Sequence, residues 1–74
     1  MDIRARQNNG IIILELSGRI DANCANLVEA VAQCLRDGYL DIICNLEEID
    51  FIDYMGISVL VIVYKEVVNS QGRI

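Results

Sequence analysis

The chain has 74 residues, 54% apolar and 23% charged, with no proline and 5 glycines, a balance that excludes a disordered tail and suits a single small core. A formal charge of -5, with no run of lysine or arginine to offset it, opposes phosphate backbones and anionic lipid, so neither nucleic acid nor a membrane surface is an expected partner. The longest apolar run, Val59 to Tyr64, falls far short of the ~20 residues that cross a bilayer. Charges among the first six residues leave no apolar secretory stretch, so the expected address is cytoplasmic.

Two β-prone runs, Ile3 to Gln7 and Ile11 to Ser17, flank Asn8-Asn9-Gly10, and Asn-Gly supplies the positive φ angles of a tight hairpin. In the second run Ile12, Leu14 and Leu16 share a face, which predicts a strand inside the sheet with that face buried. After Gly18-Arg19-Ile20-Asp21 the period changes. Cys24, Leu27, Val28, Val31, Cys34 and Leu35 recur at three- and four-residue steps, predicting an amphipathic helix with Asp21 as its N-terminal cap and Gly38 as its C-terminal one.

Leu40, Ile42, Cys44 and Leu46 alternate, with Ile43 on the opposite face, which predicts a central strand covered on both sides. A strand, a helix and a second strand joined by short links form a right-handed parallel crossover, so the class is α/β. Glu47 to Asp50 then read as an acidic turn, and Asp53 caps a second helix from Tyr54 to about Asn69. Its expected core stripe is Ile57, Leu60, Val61, Tyr64, Val67 and Val68. Val59, Ile62 and Val63 belong neither to that stripe nor to the polar side of Ser58, Lys65 and Asn69, which makes them candidates for self-association in a homodimer. A further β-run starts at Arg73-Ile74, after a turn at Gln71-Gly72.

Cys24, Cys34 and Cys44 are spaced ten apart, and the chain has no histidine. That spacing fits neither a redox pair nor a zinc knuckle, so the thiols read as small core residues, with no metal and no cofactor expected.

Three segments in order, Gly18-Arg19-Ile20-Asp21, Asn45-Leu46-Glu47-Glu48-Ile49-Asp50-Phe51-Ile52-Asp53 and Gly56-Ile57-Ser58-Val59-Leu60, resemble the STAS family of anti-sigma factor antagonists. The resemblance covers nearly the whole chain. It implies one STAS-like domain over residues 1–74: an N-terminal hairpin followed by βαβα, with helices on a mixed sheet, lacking the usual C-terminal strand and helix. It also implies a module that binds an anti-sigma factor with serine-kinase character and so regulates transcription. In that family a serine follows the aspartate at the second helix start and is phosphorylated; Tyr54 holds that position here. Its hydroxyl stands on a rigid ring far from the backbone, so loss of the serine switch is expected.

The docking surface implied by the resemblance consists of Asp21, Asp53, Tyr54, Met55, Gly56 and Ser58. Tyr54 and Met55 are expected to be exposed, and Ile57 to fill core space. Two other roles are open to the same residues. Asp21 and Asp53 could serve as acid and base, but capping explains both without a catalytic residue, and no enzyme is expected. A nucleotide phosphate at the second helix start would meet Asp53 and the acids of Glu47 to Asp50, which oppose it. The alternative function is an oligomeric scaffold in a signalling assembly.

Overall fold

The computed structural model describes residues 1–74. Five elements follow one another: β1 (Asp2–Asn8), β2 (Ile11–Ile20), α1 (Ala25–Arg36), β3 (Asp41–Ile52) and α2 (Tyr54–Asn69). The sheet order is β1-β2-β3, with β1 antiparallel and β3 parallel to β2. Asn8 pairs with Ile11 across a two-residue loop in which Asn9 and Gly10 have φ of 53° and 81°. These are the angles of the hairpin turn whose twist matches the strands it joins.

β2 is the inner strand, as its alternation requires. Ile12, Leu14, Leu16 and Ile20 are buried and share one core with Ile42 of β3, Cys24, Leu27 and Val31 at α1, and Val63 and Val67 of α2. Burying each of these larger side chains contributes about 1.5–3 kcal/mol. Because both helices contribute to this one core, they cover the same face of the sheet. The other face carries Ile11 and Ile13, which are half-buried, and Ile43, which is exposed.

Helix α1 ends as Gly38 leads one to expect. Gly38 takes φ of 92°, its amide donates to the Leu35 carbonyl, and the Tyr39 amide donates to that of Cys34, the paired bonds of a Schellman ending. Its beginning corrects the expectation for Asp21. The cap position is Cys24, with no side-chain capping bond. Asp21 instead accepts from the Asn23 amide at 2.9 Å, closing a local turn three residues before the helix. The carboxylate closes this turn and makes no bond to the amides of the first helical turn.

β3 corrects two expectations. It lies at the edge of the sheet rather than its centre, and the acidic segment Glu47 to Asp50 is strand, not turn. The ladder to β2 slips twice: Glu15 pairs with Asn45 but Ser17 with Glu48, and Gly18 with Ile49 but Arg19 with Phe51. Each slip inserts one extra β3 residue, so β3 needs two more residues than β2 to run the same length. Run lengths and turn-like composition conceal such a bulged strand.

The inward face of α2 also differs from the expected stripe. Gly56, Val63 and Val67 are buried, and Val59 and Leu60 partly so, whereas Ile57, Val61, Tyr64 and Val68 are exposed. Val63, expected to serve self-association, is therefore a core residue at 2% exposure, and Val59 packs against the core; of that trio only Ile62 is exposed. The reason lies at Gly56. A Cβ there would stand 1.9 Å from the Ile20 carbonyl oxygen, so only glycine admits this approach of helix to strand. With Gly56 inward, positions 60, 63 and 67 follow on the same side at helical spacing.

The chain leaves α2 through another Schellman ending, with Gln71 at φ of 64° and the Gly72 amide donating to the Val67 carbonyl. Arg73 then joins the outer edge of β3: its amide donates to the Leu40 carbonyl at 2.7 Å, and its carbonyl accepts from the Ile42 amide at 2.9 Å. This is the first rung of a parallel strand, where a further β-run is expected from the sequence.

Candidate functional site

Strands β2 and β3 run parallel, so their carboxyl ends, with the loops that follow, meet at one end of the sheet. The Asp53 amide donates to the Ile20 carbonyl at 3.3 Å, which ties the junction before α2 to the residue preceding Asp21. Asp53 has an extended backbone, and its Oδ1 accepts from the Gly56 amide at 2.8 Å. It is the N-terminal cap of α2, as the sequence indicates, and such a cap contributes about 1 kcal/mol.

The capped turn holds its first residues outward. Tyr54 is 83% exposed and Met55 52%, and Ser58 is exposed one turn on. Ile57, expected in the core, is 55% exposed, because Gly56 and not Ile57 faces the sheet. Gly56 corrects the expectation in the opposite direction: it is buried, so it sets the height of the helix start and offers a partner no contact. Asp53 and Asp21 are half-buried. They shape the turns on which the exposed groups stand.

Sequence spacing gave no notice of a second pair at this end. Arg19 and Phe51 are register partners, and the guanidinium lies over the ring at 4.0 Å from its centroid, a cation–π contact. Arg19 also reaches Asp21, with Nε to Oδ2 at 3.7 Å; in solvent that pair contributes a few tenths of a kcal/mol at most. Each residue stands two positions before its junction aspartate, a symmetry visible only once the two strands are known to run parallel. Beneath them, Cys24 donates to the Arg19 carbonyl at 3.3 Å through Sγ. Cys24 is thus a buried element of the loop, as its apolar reading requires.

The other thiols lie elsewhere. Cys34 and Cys44 pack against the core, and burial raises the pKa of each above the ordinary 9.0, with nearby Asp37 adding to the rise at Cys34 and Cys34 adding to it at Cys44. Such thiols stay protonated and poorly nucleophilic at neutral pH.

This end of the molecule therefore exposes the apolar side chains of Phe51, Ile52, Tyr54, Met55 and Ile57 on the same junctions as Asp21, Asp53 and the cation Arg19. Aromatic and methionine side chains ringed by charge suit protein docking. The STAS domain profile matches residues 2–74. The chain belongs to the STAS domain family. A search of curated protein sequences gives no significant match.

Among solved structures, the STAS domain is similar to that of the anti-sigma factor antagonist SpoIIAA in its unphosphorylated form, at a TM-score of 0.71 and 20% identity over 97% of this chain and 68% of that one. It is similar as well to the phosphorylated form of SpoIIAA, described as a Bacillus cell fate determinant, at 0.73 and 19% over the same shares. A structure of Mglu matches at 0.82 and 22% over 95% of this chain, which spans only 18% of that protein. At these identities the likeness is one of fold. It agrees with the α/β arrangement of a hairpin whose second strand opens a βαβα unit. No helix of the STAS domain is long and apolar enough to cross a membrane.

Proposed function

We propose that this STAS domain is a cytoplasmic, non-catalytic binding module of the anti-sigma factor antagonist type, which regulates transcription by docking an anti-sigma factor of serine-kinase character. The observation that carries the reading is the presentation of Tyr54 and Met55, exposed at the first turn of α2 and held there by the Asp53 cap and the Gly56 contact. Similarity to SpoIIAA, an anti-sigma factor antagonist, supplies the partner class. Ser58, Ile57 and the Arg19–Phe51 pair extend the surface.

Tyr54 occupies the place where the resemblance puts a phosphorylated serine, and its ring carries the hydroxyl beyond the reach of a catalytic site shaped for a short side chain. The module therefore docks without the serine switch. The nucleotide alternative gains no support from the geometry, since the Gly56 amide that would meet a phosphate is already taken by the Asp53 carboxylate at 2.8 Å.

The test uses a purified anti-sigma factor kinase of the same organism. Tyr54→Ala is expected to weaken binding at least ~10-fold, the loss typical of an aromatic anchor, with the melting temperature unchanged because the ring is outside the core. Tyr54→Ser is expected to acquire ATP-dependent phosphate that the parent chain does not. Parent-like binding by Tyr54→Ala, or phosphate on Tyr54 itself, would sink this reading.

A further inference from the structure

An asparagine followed by glycine carries chemistry of its own. The glycine nitrogen has no side chain beside it, so it is free to approach the side-chain carbonyl of the asparagine. The chain has six asparagines, and only Asn9 precedes a glycine.

The fold separates these sites by what their side chains and the following amides do. After Asn23 the Cys24 amide donates to the Asp21 carbonyl, after Asn26 the Leu27 amide donates to that of Cys24, and after Asn69 the Ser70 amide donates to those of Glu66 and Val67. Asn45 is engaged through Oδ1, which accepts from the Glu47 amide at 3.0 Å. Asn8 precedes a residue whose side chain crowds the nitrogen. At the hairpin tip nothing is held. Asn9 and Gly10 are exposed, the Gly10 amide donates to no group of the protein, and no side-chain hydrogen bond involves Asn9. A Cβ built at Gly10 would meet nothing within 4 Å.

We infer that Asn9 is a site of spontaneous deamidation. The Gly10 nitrogen attacks Cγ of Asn9 and loses its proton. A new C–N bond closes a cyclic imide, the bond to the side-chain nitrogen breaks, and ammonia leaves with that proton. Water then opens the imide at either carbonyl, giving aspartate or isoaspartate. Elsewhere a held amide must first leave its acceptor, and an opening cost of about 1.4 kcal/mol slows a reaction about tenfold.

The two products act differently on the fold. Asn9 and Gly10 take φ of 53° and 81° in a two-residue turn that sets Asn8 opposite Ile11, and Asp-Gly suits that turn as Asn-Gly does. Isoaspartate instead routes the main chain through the former side-chain carbon, which lengthens the turn and spoils its match to the strand twist. β1 pairs with β2 through this hairpin and brings Ile3 onto the core, so the isoaspartyl form loosens β1. The start of α2 is tied to Ile20, at the other end of β2, and keeps its geometry.

The test holds the folded full chain in mildly alkaline buffer and follows each asparagine by peptide mass spectrometry. Isoaspartate is counted by the labelled methyl group that an isoaspartyl methyltransferase transfers to it from S-adenosylmethionine. Asn9 is expected to convert at least about tenfold faster than any other asparagine. The isoaspartyl form is expected to melt below the parent chain, and Asn9→Asp to melt with it. The same chain in urea gives the rate without the fold. An Asn9 that stays intact in the folded chain while converting in urea, or another asparagine that converts first, overturns the assignment. An isoaspartyl form that melts with the parent overturns the loosening of β1.

Discussion

Gly56→Ala is the substitution with the most to reveal, because two effects of opposite sign compete. In a solvent-facing helix position, replacing glycine by alanine stabilises by about 1 kcal/mol, since alanine restricts the unfolded chain and favours the helix. At position 56 the added Cβ would lie 1.9 Å from the Ile20 carbonyl oxygen and 2.6 Å from its carbon, where ordinary contact begins at 3.4 Å. Both neighbours are backbone, so no side chain can swing aside. The start of α2 must retreat, which loosens the Asp53 cap and the bond from the Asp53 amide to Ile20. Overpacking costs about 1–3 kcal/mol and the cap about 1, with more for the lost bond. The net expectation is a destabilisation of about 2–4 kcal/mol, a fall of at least ~10 °C in melting temperature for a chain of this size. Thermal and urea unfolding followed by circular dichroism would measure it, with Ser58→Ala as the exposed control expected within about 0.5 kcal/mol. Equal or greater stability for Gly56→Ala would refute the close approach, and with it the assignment of the inward face of α2.

Three other outcomes follow from the same geometry. Val63→Ala, at a core position, is expected to cost about 1–3 kcal/mol and Val61→Ala, on the exposed side, under about 0.5; the reverse order in urea unfolding would restore the face expected from periodicity. Gln71→Gly is expected to stabilise by about 1 kcal/mol in thermal unfolding, since the residue takes φ of 64° where glycine has no penalty. The pKa values of Cys34 and Cys44 are raised above 9.0 by burial, so the folded state binds these protons more tightly than the unfolded one. That contribution is fully present below about pH 9 and is lost as pH rises through the folded values. Urea midpoints should therefore fall above pH 9, and less steeply in Cys44→Ala.

Much of the fold is legible in local chemistry. Asn9-Gly10 states a hairpin, the alternation Ile12-Leu14-Leu16 states a buried strand face, and Gly38 and Asp53 state a helix end and a helix start, because each signal acts within a few residues of itself. The exposure of Tyr54 and Met55 follows from the same cap. Asp21 shows the limit of such signals: a carboxylate near a helix start can satisfy a turn amide instead, and only the path of the chain decides which.

Other features depend on elements brought together from far along the sequence. The acids of β3 read as a turn because bulges are defined by a partner strand, here β2, more than twenty residues away. The stacking of Arg19 on Phe51 exists only in that register. Helix α2 is the clearest case. Its residues are apolar on nearly every side, so periodicity permits more than one inward face, and hydrophobicity alone cannot rank them. The sequence by itself determined that α2 is a helix capped by Asp53. Which face turns inward was decided by tertiary contact, since only the residue without a Cβ can lie against the carbonyl of Ile20, and that contact places Val63 in the core and leaves Ile57, Val61, Tyr64 and Val68 at the surface.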